Sequence, residues 1–432
     1  MVGKPYDWVV GKPAPPLEDH TRTKHDVLRR YTERYLEIVT QTPSQRELNF
    51  TVVDGFAGGG RYTRGGLIVP GSPLLLIEAV RNVEAALNAS RSNGFKIKAD
   101  FFFVEDDTKT FEYLTETILQ SQYAEAVGNW IHLIKGDFNT HVHAICEHIK
   151  KKGTAHRSLF LLDQCGWGQV ALETVRAIYH GLKHSEVFLT FSVDSLIDYL
   201  SDRTSDLGAA IAAELDEGFV RDLIRIRESE QVGWRALIQH GLYGHLRKQL
   251  DVKYTSPFFL MSTQSHRALW FLHLSKHWKA RDEIGLIHWD AASGSVDHRG
   301  DPGFEPLGFT PERKKNPDQL TLDFGFDELA KTRSRAALHG QLCDTIVRMI
   351  GTEGHAPSIE HLFDANCNDT PVTSAMLKDA ILTLRSEKEL VIRRADGRVK
   401  ETGLALTLND RIERPGQPPI PGLLGTRNAN KE

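Results

Sequence analysis

Short apolar runs that each end near an acidic residue recur along the first half of the chain. The run 50–53 is followed by Asp54, and later runs of the same kind lead to Glu105, Asp137 and Asp163. Such runs, rich in β-branched and aromatic residues, are typical of buried parallel strands. Because ligands of open α/β sheets bind at the carboxyl ends of the strands, the four carboxylates are predicted to line a ligand site. The alternative is a set of ordinary loop acids that flank buried strands.

Three further runs, at 187–191, 257–261 and 268–274, bring the predicted count to seven strands. The stretch of about 195–250 has mainly helical patterns and is predicted to be an insertion in the sheet. An α/β domain is therefore expected over residues 21–290. The insertion is interpreted either as a lid over the site or as a helical bundle with solvated charges.

A glycine-rich turn follows the first predicted strand, and it includes Gly55, Gly58 and Gly60. Glycines allow positive φ angles and a close approach of the backbone to a ligand, while amide donors of the turn and the next helix face that ligand. A dinucleotide site would place an acid about 20 residues after the glycines. Here Asp54 precedes them and Glu105 follows much later, so the pattern disfavours NAD.

Two segments near this turn supply candidate substrate contacts. Arg61 and Tyr62 follow the glycines in a predicted flexible loop, where they are placed to contact a substrate phosphate. Lys24 and His25 lie in the basic start of a predicted helix at 20–39. Solvated side chains are the alternative for both pairs.

Composition narrows the class of protein. The chain has 432 residues, 40% of them hydrophobic, and a net charge of -4, which fits two or three domains and excludes a uniformly cationic nucleic-acid coat. Its 4 cysteines are scattered without C-x-x-C pairs, so no zinc ribbon, disulfide framework or other metal site is predicted. Residues 1–20 are predicted to form an N-terminal arm. With no long apolar segment and no signal-peptide pattern, the protein is expected to be cytoplasmic, without membrane contact.

The glycine turn resembles motif I of class I S-adenosylmethionine (SAM) methyltransferases. The resemblance implies a seven-stranded Rossmann-like sheet, a methionine pocket at the glycine turn, ribose contacts from Glu105 and an adenine contact from Asp137. It also makes Asp163 the start of the catalytic motif. The residues predicted to bind the cofactor are Asp54, Gly55, Phe56, Ala57, Gly58, Gly60, Glu105, Asp106, Asp137, Phe138 and Asp163.

The motif after the fourth strand contains the predicted catalytic residues Asp163, Gln164, Cys165 and Trp167. Amino-methyltransferases have Asp/Asn-Pro-Pro-Tyr/Phe here, in which the first residue accepts a hydrogen bond from the target amine and the aromatic ring stacks on the base. Asp163 and Trp167 could fill these two roles, while the middle of the motif departs from the pattern. Cys165 also suggests a nucleophilic thiolate, as in carbon-5 pyrimidine methyltransferases, which would require a lowered pKa. A structural cysteine is the alternative.

The chain resembles a narrower family, the three-Cys-motif partner proteins (TcmP). The likeness lies in residues 24–31, 53–62, 71–74, 162–166 and 273–277, and its specific part is the glycine loop with its Arg-Tyr tail. Relatives usually carry Asp-Pro-Phe-Gly at the fourth strand end, where this chain has a different sequence. The resemblance implies a bacterial protein with a methyltransferase-like fold and a separate partner protein that bears a three-cysteine motif.

Glycine, proline, aspartate and lysine become frequent after the sheet domain, and residues 291–330 are predicted to be a linker. Within it, the segment from Gln319 to Phe324 is similar to the short peptide by which bacterial proteins dock on the replication sliding clamp. A local strand or packing segment is the alternative.

Residues 331–410 are predicted to form a winged helix-turn-helix domain, followed by a tail at 411–432. Three helical patterns precede two short apolar runs that are joined by Asp396 and Gly397, a strong hairpin signal. The third helix and the wing would then form a nucleic-acid face, although many winged helices contact only proteins. The predicted nucleic-acid contacts are Arg393, Arg394, Arg398 and Lys400.

Three functional classes follow from these patterns. The first is a SAM-dependent methyltransferase that acts on nucleic acid, RNA or DNA. The second is a catalytically inactive SAM-fold module that works with a partner protein in genome maintenance or phage defence. A magnesium-dependent nuclease or phosphohydrolase is the third, and it is disfavoured because such sites draw their carboxylates closer together than separate strand ends imply.

Overall fold

The computed structural model describes residues 6–164, 168–193, 196–197, 215–228, 234–261, 268–290, 328–368 and 370–415. The chain divides into two compact units, and the second begins its main stretch at Thr332. The predicted clamp-binding segment from Gln319 to Phe324 lies outside the described residues. Among the described helices, none combines the length and hydrophobicity that crossing a membrane requires.

A seven-stranded sheet forms the centre of the first unit, in the order β5-β4-β1-β6-β7-β9-β8. All neighbours pair in parallel except β9, which is antiparallel to both β7 and β8. The first five strands of this sheet therefore have the 3-2-1-4-5 order of a doubly wound fold. This confirms the predicted mixed α/β domain with a Rossmann-like sheet of seven mostly parallel strands. The strands are β1 (Glu47–Asp54), β4 (Lys96–Glu105), β5 (Ile131–Lys135), β6 (Arg157–Leu162), β7 (His184–Phe191), β8 (Tyr254–Met261) and β9 (Ala268–Ser275).

Central strands of this sheet are buried along almost their whole length. The last five residues of β1 and of β6 are all buried, whereas the edge strand β5 is only partly covered. Strands covered by helices on both faces read as continuous apolar runs, which is why the sequence reveals them. The helices among the described residues of this unit are α1 (Asp19–Val39), α2 (Ser72–Ser90), α3 (Thr108–Leu119), α4 (Phe138–Lys151), α5 (Leu172–Gly181), α6 (Glu217–Glu228), α7 (Trp234–Leu250) and α8 (Trp278–Asp290), with a 3₁₀ turn at Ala124–Ala126.

The segment between the glycine turn and α2 is a β-hairpin, not the flexible loop that was predicted. Its strands are β2 (Arg61–Arg64) and β3 (Leu67–Pro70). Gly65 and Gly66 join them with φ angles of +55° and +81°, the left-handed conformation that a two-residue hairpin turn favours. The N-terminal arm adds to β2, because the Leu17 N–H donates to the carbonyl oxygen of Thr63 at 2.8 Å.

A buried polar network attaches α1 to the sheet. The Tyr31 hydroxyl and His273 Nε2 each lie 2.9 Å from the same carboxylate oxygen of Glu186 on β7. All three side chains are buried, and burial together with the charge of Glu186 raises the pKa of Tyr31 well above its usual value. The carboxylate is therefore compensated by two hydrogen-bond partners in an otherwise apolar layer.

The second unit contains three helices and a two-stranded sheet among its described residues. They are the main part of α9 (Glu328–Glu353), α10 (Ile359–Asn366), α11 (Ser374–Ser386), β10 (Val391–Arg393) and β11 (Arg411–Glu413). The strands pair antiparallel, so the stretch predicted as a C-terminal tail begins with a strand, which corrects that boundary. The Gly397 N–H donates to the carbonyl oxygen of Arg394 at 2.9 Å, which places a tight turn where the hairpin signal lay. The winged-helix assignment stays a prediction.

Two of the four residues predicted to contact nucleic acid form ion pairs with acidic residues of the second unit. Lys400 is buried and its Nζ lies 2.6 Å from Asp410, so its placement on a binding face was wrong. Arg393 pairs with Glu413 at 2.5 Å. Arg394 is half-buried and Arg398 is exposed.

Candidate functional site

The four strand-end acids lie at one edge of the sheet. Asp54 pairs in register with Phe103 on β4 and with Leu161 on β6, so Glu105 and Asp163 each follow two residues further along their strands. Glu105 in turn pairs with Lys135 at the end of β5, just before Asp137. Because these strands are parallel neighbours, their carboxyl ends face the same side of the molecule. The edge includes the point between β1 and β6 where the strand order reverses, which is where open α/β sheets bind ligands.

Glu105 is held by backbone amides of two loops. The Gly58 N–H donates to Oε2 and the Asp107 N–H to Oε1, each at 2.9 Å. Partial burial raises the pKa of Glu105, and these two amides oppose the rise. Each carboxylate oxygen keeps acceptor capacity beyond its one amide. The group therefore offers two adjacent acceptors, one on each oxygen, a pattern that matches a vicinal diol.

Asp54 is fully buried at the end of β1. Its Oδ1 accepts from the Phe56 N–H at 3.2 Å, whereas Oδ2 has no hydrogen-bond partner among the described residues. Burial raises the pKa of Asp54 to about 7, and the nearby Ser72 hydroxyl and the Phe56 N–H oppose the rise. An unsatisfied buried oxygen is costly, so Oδ2 keeps acceptor capacity that the described residues do not use.

The raised pKa makes stability depend on pH in a defined direction. Because Asp54 binds its proton more tightly in the folded protein, its contribution is complete below the unfolded pKa of 3.8 and is lost as the pH rises through about 7. The Asp54→Asn variant should lack this decline, which amounts to about 4 kcal/mol for a shift of this size. Denaturant unfolding at pH 4, 6 and 8 measures it, with Asp106→Asn as an exposed control. Parallel pH profiles for wild type and Asp54→Asn would contradict the expectation.

The glycine turn is covered by Trp8, a residue that the sequence analysis did not single out. Gly58 and Gly60 have φ angles of +58° and +77°, as the motif requires. A Cβ built on Gly59 would lie 2.2 Å from the Trp8 ring, so the indole packs directly on the backbone. The Trp8 Nε1–H donates to the carbonyl oxygen of Arg61 at 3.0 Å. No periodic pattern marks this residue, because its role depends on a contact between distant segments.

Gly59→Ala is expected to destabilise the protein by about 1–3 kcal/mol, because the new methyl group must displace the indole. The φ angle of Gly59 is not in the left-handed region, so the steric contact is the only cause. Trp8→Ala should make the same glycine substitution nearly neutral, a coupling that a double-mutant cycle measures. Gly94→Ala is the control, because its Cβ would meet its nearest neighbour at an ordinary 3.8 Å. Additive effects of the Trp8 and Gly59 substitutions would contradict the packing argument.

The predicted adenine side of the site is partly exposed. Asp137 begins α4 and its Oδ1 accepts from the Asn139 amide and side chain at 3.3 and 3.1 Å. Phe138 is buried, and its ring would lie 2.9 Å from a Cβ on Gly55, so it fixes the floor of the turn. Asp106 is exposed.

Asp163 forms a close ion pair with Lys24 of α1. Lys24 Nζ lies 2.6 Å from both carboxylate oxygens, and the Thr190 hydroxyl donates to Oδ1 at 2.6 Å. Burial acts to raise the pKa of Asp163, but the charge and hydrogen bonds of Lys24 outweigh it, so the pKa lies below its usual value. The side chain of Asp163 keeps 24% of its surface exposed, against 9% for Lys24. Asp163 is thus an accessible anion backed by a buried cation.

His25 and His20 lie next to this pair. Burial lowers the pKa of each to about 4, and the charge of Lys24 adds to the effect. Both imidazoles are therefore neutral at pH 7. Lys24 and His25 are buried, so the alternative of a solvated helix end is wrong.

Gln164 is used within the protein. Its Nε2 donates to the carbonyl oxygen of Thr190 at 3.0 Å, and its Oε1 accepts from the amides of Gln169 and Val170 at 2.9 and 3.0 Å. The side chain is buried, so it anchors the loop after β6 and does not face a target as predicted. Cys165 and Trp167 lie outside the described residues.

Arg61 and Tyr62 are also committed to internal contacts, which corrects their prediction as substrate contacts. The Arg61 guanidinium donates to the Tyr113 hydroxyl at 3.1 Å and to Gln120 Oε1 at 3.0 Å. Tyr62 is buried beside Trp8, with their ring centres 5.4 Å apart. Within the described residues, no group of three or more His, Cys, Asp and Glu side chains is arranged to hold a metal ion.

Comparison with known proteins gives only distant similarities. No family model and no curated protein matches the chain. Among solved structures, the Legionella pneumophila protein LPL1258 is 10% identical with a TM-score of 0.34, covering 61% of this chain and 89% of that one. The METTL16 MTase domain is 14% identical with a TM-score of 0.25, covering 57% of this chain and 66% of that one. A putative O-methyltransferase from Klebsiella pneumoniae is 11% identical with a TM-score of 0.26, covering 61% of this chain and 92% of that one. These scores establish no function for this chain.

Proposed function

We propose that this protein is a SAM-dependent methyltransferase that acts on a base of RNA or DNA. The observation that carries the proposal is the set of carboxylates around the glycine turn, in which Gly58 and Glu105 are joined by a hydrogen bond of 2.9 Å. This arrangement of acceptors along consecutive strand ends suits a ligand with a cationic end, a vicinal diol and an exocyclic amine. SAM has these three features.

The residues present fit this group. Asp54 has a buried oxygen without a partner, which suits the ammonium of the methionine part. Glu105 offers two acceptors for the ribose hydroxyls, and Asp137 is exposed where an adenine amine would be received. The glycines of the turn pack against Trp8, Phe138 and Leu114 of the protein itself, and they allow the tight bend in which the Gly58 N–H reaches Glu105.

When bound, SAM supplies an electrophilic methyl group on a sulfonium. Displacement at such a carbon needs little acid-base help, so orientation and exclusion of water provide most of the acceleration. Asp163 would accept a hydrogen bond from the target, and this role is supported by Thr190 and Lys24, which hold its carboxylate in one orientation. Trp8 packs on the glycine turn and the neutral His25 packs on Tyr62, so these side chains would hold the turn and the start of α1 in position.

The nucleic-acid target is supported by the exposed Arg398 and half-buried Arg394 near the turn of the second unit. With Lys400 and Arg393 paired internally, the remaining patch is small, so it would add phosphate contacts without reading sequence. Binding of duplex and single-stranded oligonucleotides should weaken as salt rises, with a shallow slope that reflects few phosphate contacts.

Two assays test the proposal in sequence. Calorimetry with SAM should show one site per chain, and radiolabelled SAM should then transfer its methyl group to total RNA or total DNA. The competing function is an inactive SAM-fold module, which is favoured by the internal engagement of Gln164 and by the Lys24 contact to both oxygens of Asp163. Binding without transfer would support that module, and absence of binding would refute both.

A further inference from the structure

Hydrogen-bond capacity at the Lys24–Asp163 pair is not exhausted. An ammonium has three donors and a carboxylate about four acceptor sites. Lys24 directs contacts to both oxygens of Asp163, and Asp163 accepts these two and one from Thr190. Within the described residues neither group has a further hydrogen bond. The pair is therefore left with one N–H donor beside one carboxylate acceptor.

The two groups that keep this capacity are in direct contact, and Asp163 lies at the proposed cofactor side of the site. Lys24 and Asp163 are 2.6 Å apart, and Asp163 is the more accessible partner. The charge of Asp163 contributes to the raised pKa of Asp54, so the two carboxyls are electrostatic neighbours. Asp163 follows β6 and Asp54 ends β1, on the two sides of the crevice at the strand reversal.

We propose that Lys24 is a specificity-determining residue and that its pairing with Asp163 selects an exocyclic amine adjacent to an unprotonated ring nitrogen. On the Watson–Crick edge, adenine and cytosine present this combination of donor and acceptor. Guanine has a protonated ring nitrogen beside its amine on that edge, and uracil and thymine have no exocyclic amine. Lys24 donates to the ring nitrogen and Asp163 accepts from the amine. The inference depends on the proposed methyltransferase function and names its target atom.

The imide edge of uracil also offers a donor beside an acceptor. Uracil differs from a base with an exocyclic amine in the protonation state that its nitrogen needs for attack. An imide nitrogen must lose its proton before it can attack a methyl group. Asp163 is a weak base, because Lys24 and Thr190 stabilise its anion. An exocyclic amine keeps both protons until the N–C bond forms as the C–S bond breaks, leaving a neutral thioether. The surplus proton on the positively charged nitrogen then passes to Asp163 and on to water.

Product analysis is the first test. The full-length protein is incubated with tritiated SAM and total RNA or DNA, and the labelled nucleosides are separated and identified. The inference predicts label on the exocyclic nitrogen of adenine or cytosine. Label on uracil, guanine, thymine, a ring carbon or a ribose oxygen would overturn it, as would SAM binding without any transfer. If calorimetry detects no SAM binding, the proposed function itself fails, so the two failures are distinguishable.

A substrate lacking only the ring nitrogen tests Lys24 directly. Oligonucleotides with 1-deazaadenine or 3-deazacytosine at the modified position keep the amine and remove the acceptor. We expect wild-type kcat/KM to fall about 10- to 100-fold on the deaza substrate, a typical effect of losing a hydrogen bond to a charged donor. Equal rates on the two substrates would overturn the inference, even if no variant of Lys24 can be purified.

The Lys24→Met variant completes the test. This variant should no longer discriminate between the native and deaza oligonucleotides, so its kcat/KM values for the two should agree within about 2-fold. Their Kd values, measured by fluorescence anisotropy in the presence of S-adenosylhomocysteine, should agree equally well. The control variant Lys98→Met, at an exposed site on β4, should still discriminate between the native and deaza oligonucleotides. If Lys24 had only a structural role, Lys24→Met would lower kcat/KM equally for both substrates and leave the discrimination between them intact. That result would contradict the proposal. SAM affinity, measured by calorimetry, should change little in both variants.

Discussion

Glu105→Ala is expected to weaken SAM binding at least about 100-fold. In the proposed complex the carboxylate would provide two acceptors for the ribose, and each hydrogen bond to a charged group is typically worth about 1.5–3 kcal/mol. Two such bonds correspond to two or more decades in Kd. The Gly58 N–H also loses its acceptor, which is expected to loosen the glycine turn. Isothermal calorimetry of the purified variant measures the effect.

Glu112→Ala is the matched control, because Glu112 is an exposed residue of α3 near the same edge. It should bind SAM as wild type does. Melting temperatures of both variants separate loss of affinity from loss of fold. Wild-type affinity in a folded Glu105→Ala protein would show that the carboxylate does not hold the ribose.

Glu186→Ala should cost about 3–5 kcal/mol of stability, the range typical of breaking a buried charged network. The substitution leaves the Tyr31 hydroxyl and His273 Nε2 without their common acceptor in a buried layer. It also leaves a cavity between α1 and the sheet. Denaturant unfolding followed by circular dichroism measures the loss, with separate fits if the two units unfold separately.

Glu186→Gln should cost less than the alanine substitution, because an amide oxygen still accepts from Tyr31 and the side-chain volume is kept. Glu47→Ala, at an exposed ion pair with Lys98, should change stability by less than about 1 kcal/mol. If Glu186→Ala were no more destabilising than Glu47→Ala, the network would be unimportant for stability.

The strands of the sheet could be predicted because each one corresponds to a contiguous apolar run in the sequence. Strands such as β1 and β6 are covered on both faces and consist of unbroken apolar runs, so the period and length of each run identify it. The acids at their ends follow directly from the same runs, and parallel pairing brings Asp54, Glu105 and Asp163 to one edge. Sequence reasoning therefore identified the edge of the sheet at which these acids lie.

Contacts across long sequence separations were not predictable. Lys24 and Asp163 are 139 residues apart, and the sequence contains no feature that pairs them. Trp8 lies in a proline-rich arm without periodicity, so its packing on Gly59 depends on the folded chain. Lys400 was misassigned because a basic side chain reads as exposed until its buried partner Asp410 is known.

The hairpin after the glycine turn was missed for a related reason. Its strands Arg61–Arg64 and Leu67–Pro70 have four residues each, too few for an alternating pattern to be recognised. Arg61 was consequently predicted to be available for a substrate, whereas its guanidinium donates hydrogen bonds to Tyr113 and Gln120. Short strands depend on their neighbours, here the arm that pairs with Thr63.

A crystal structure of the full-length protein with S-adenosylhomocysteine tests the central claim most directly. The account predicts the ribose hydroxyls at Glu105, the amino group of the homocysteine at Asp54 and the adenine amine at Asp137. A ligand bound away from the glycine turn, or a glycine turn that stays empty at saturating ligand, would contradict it.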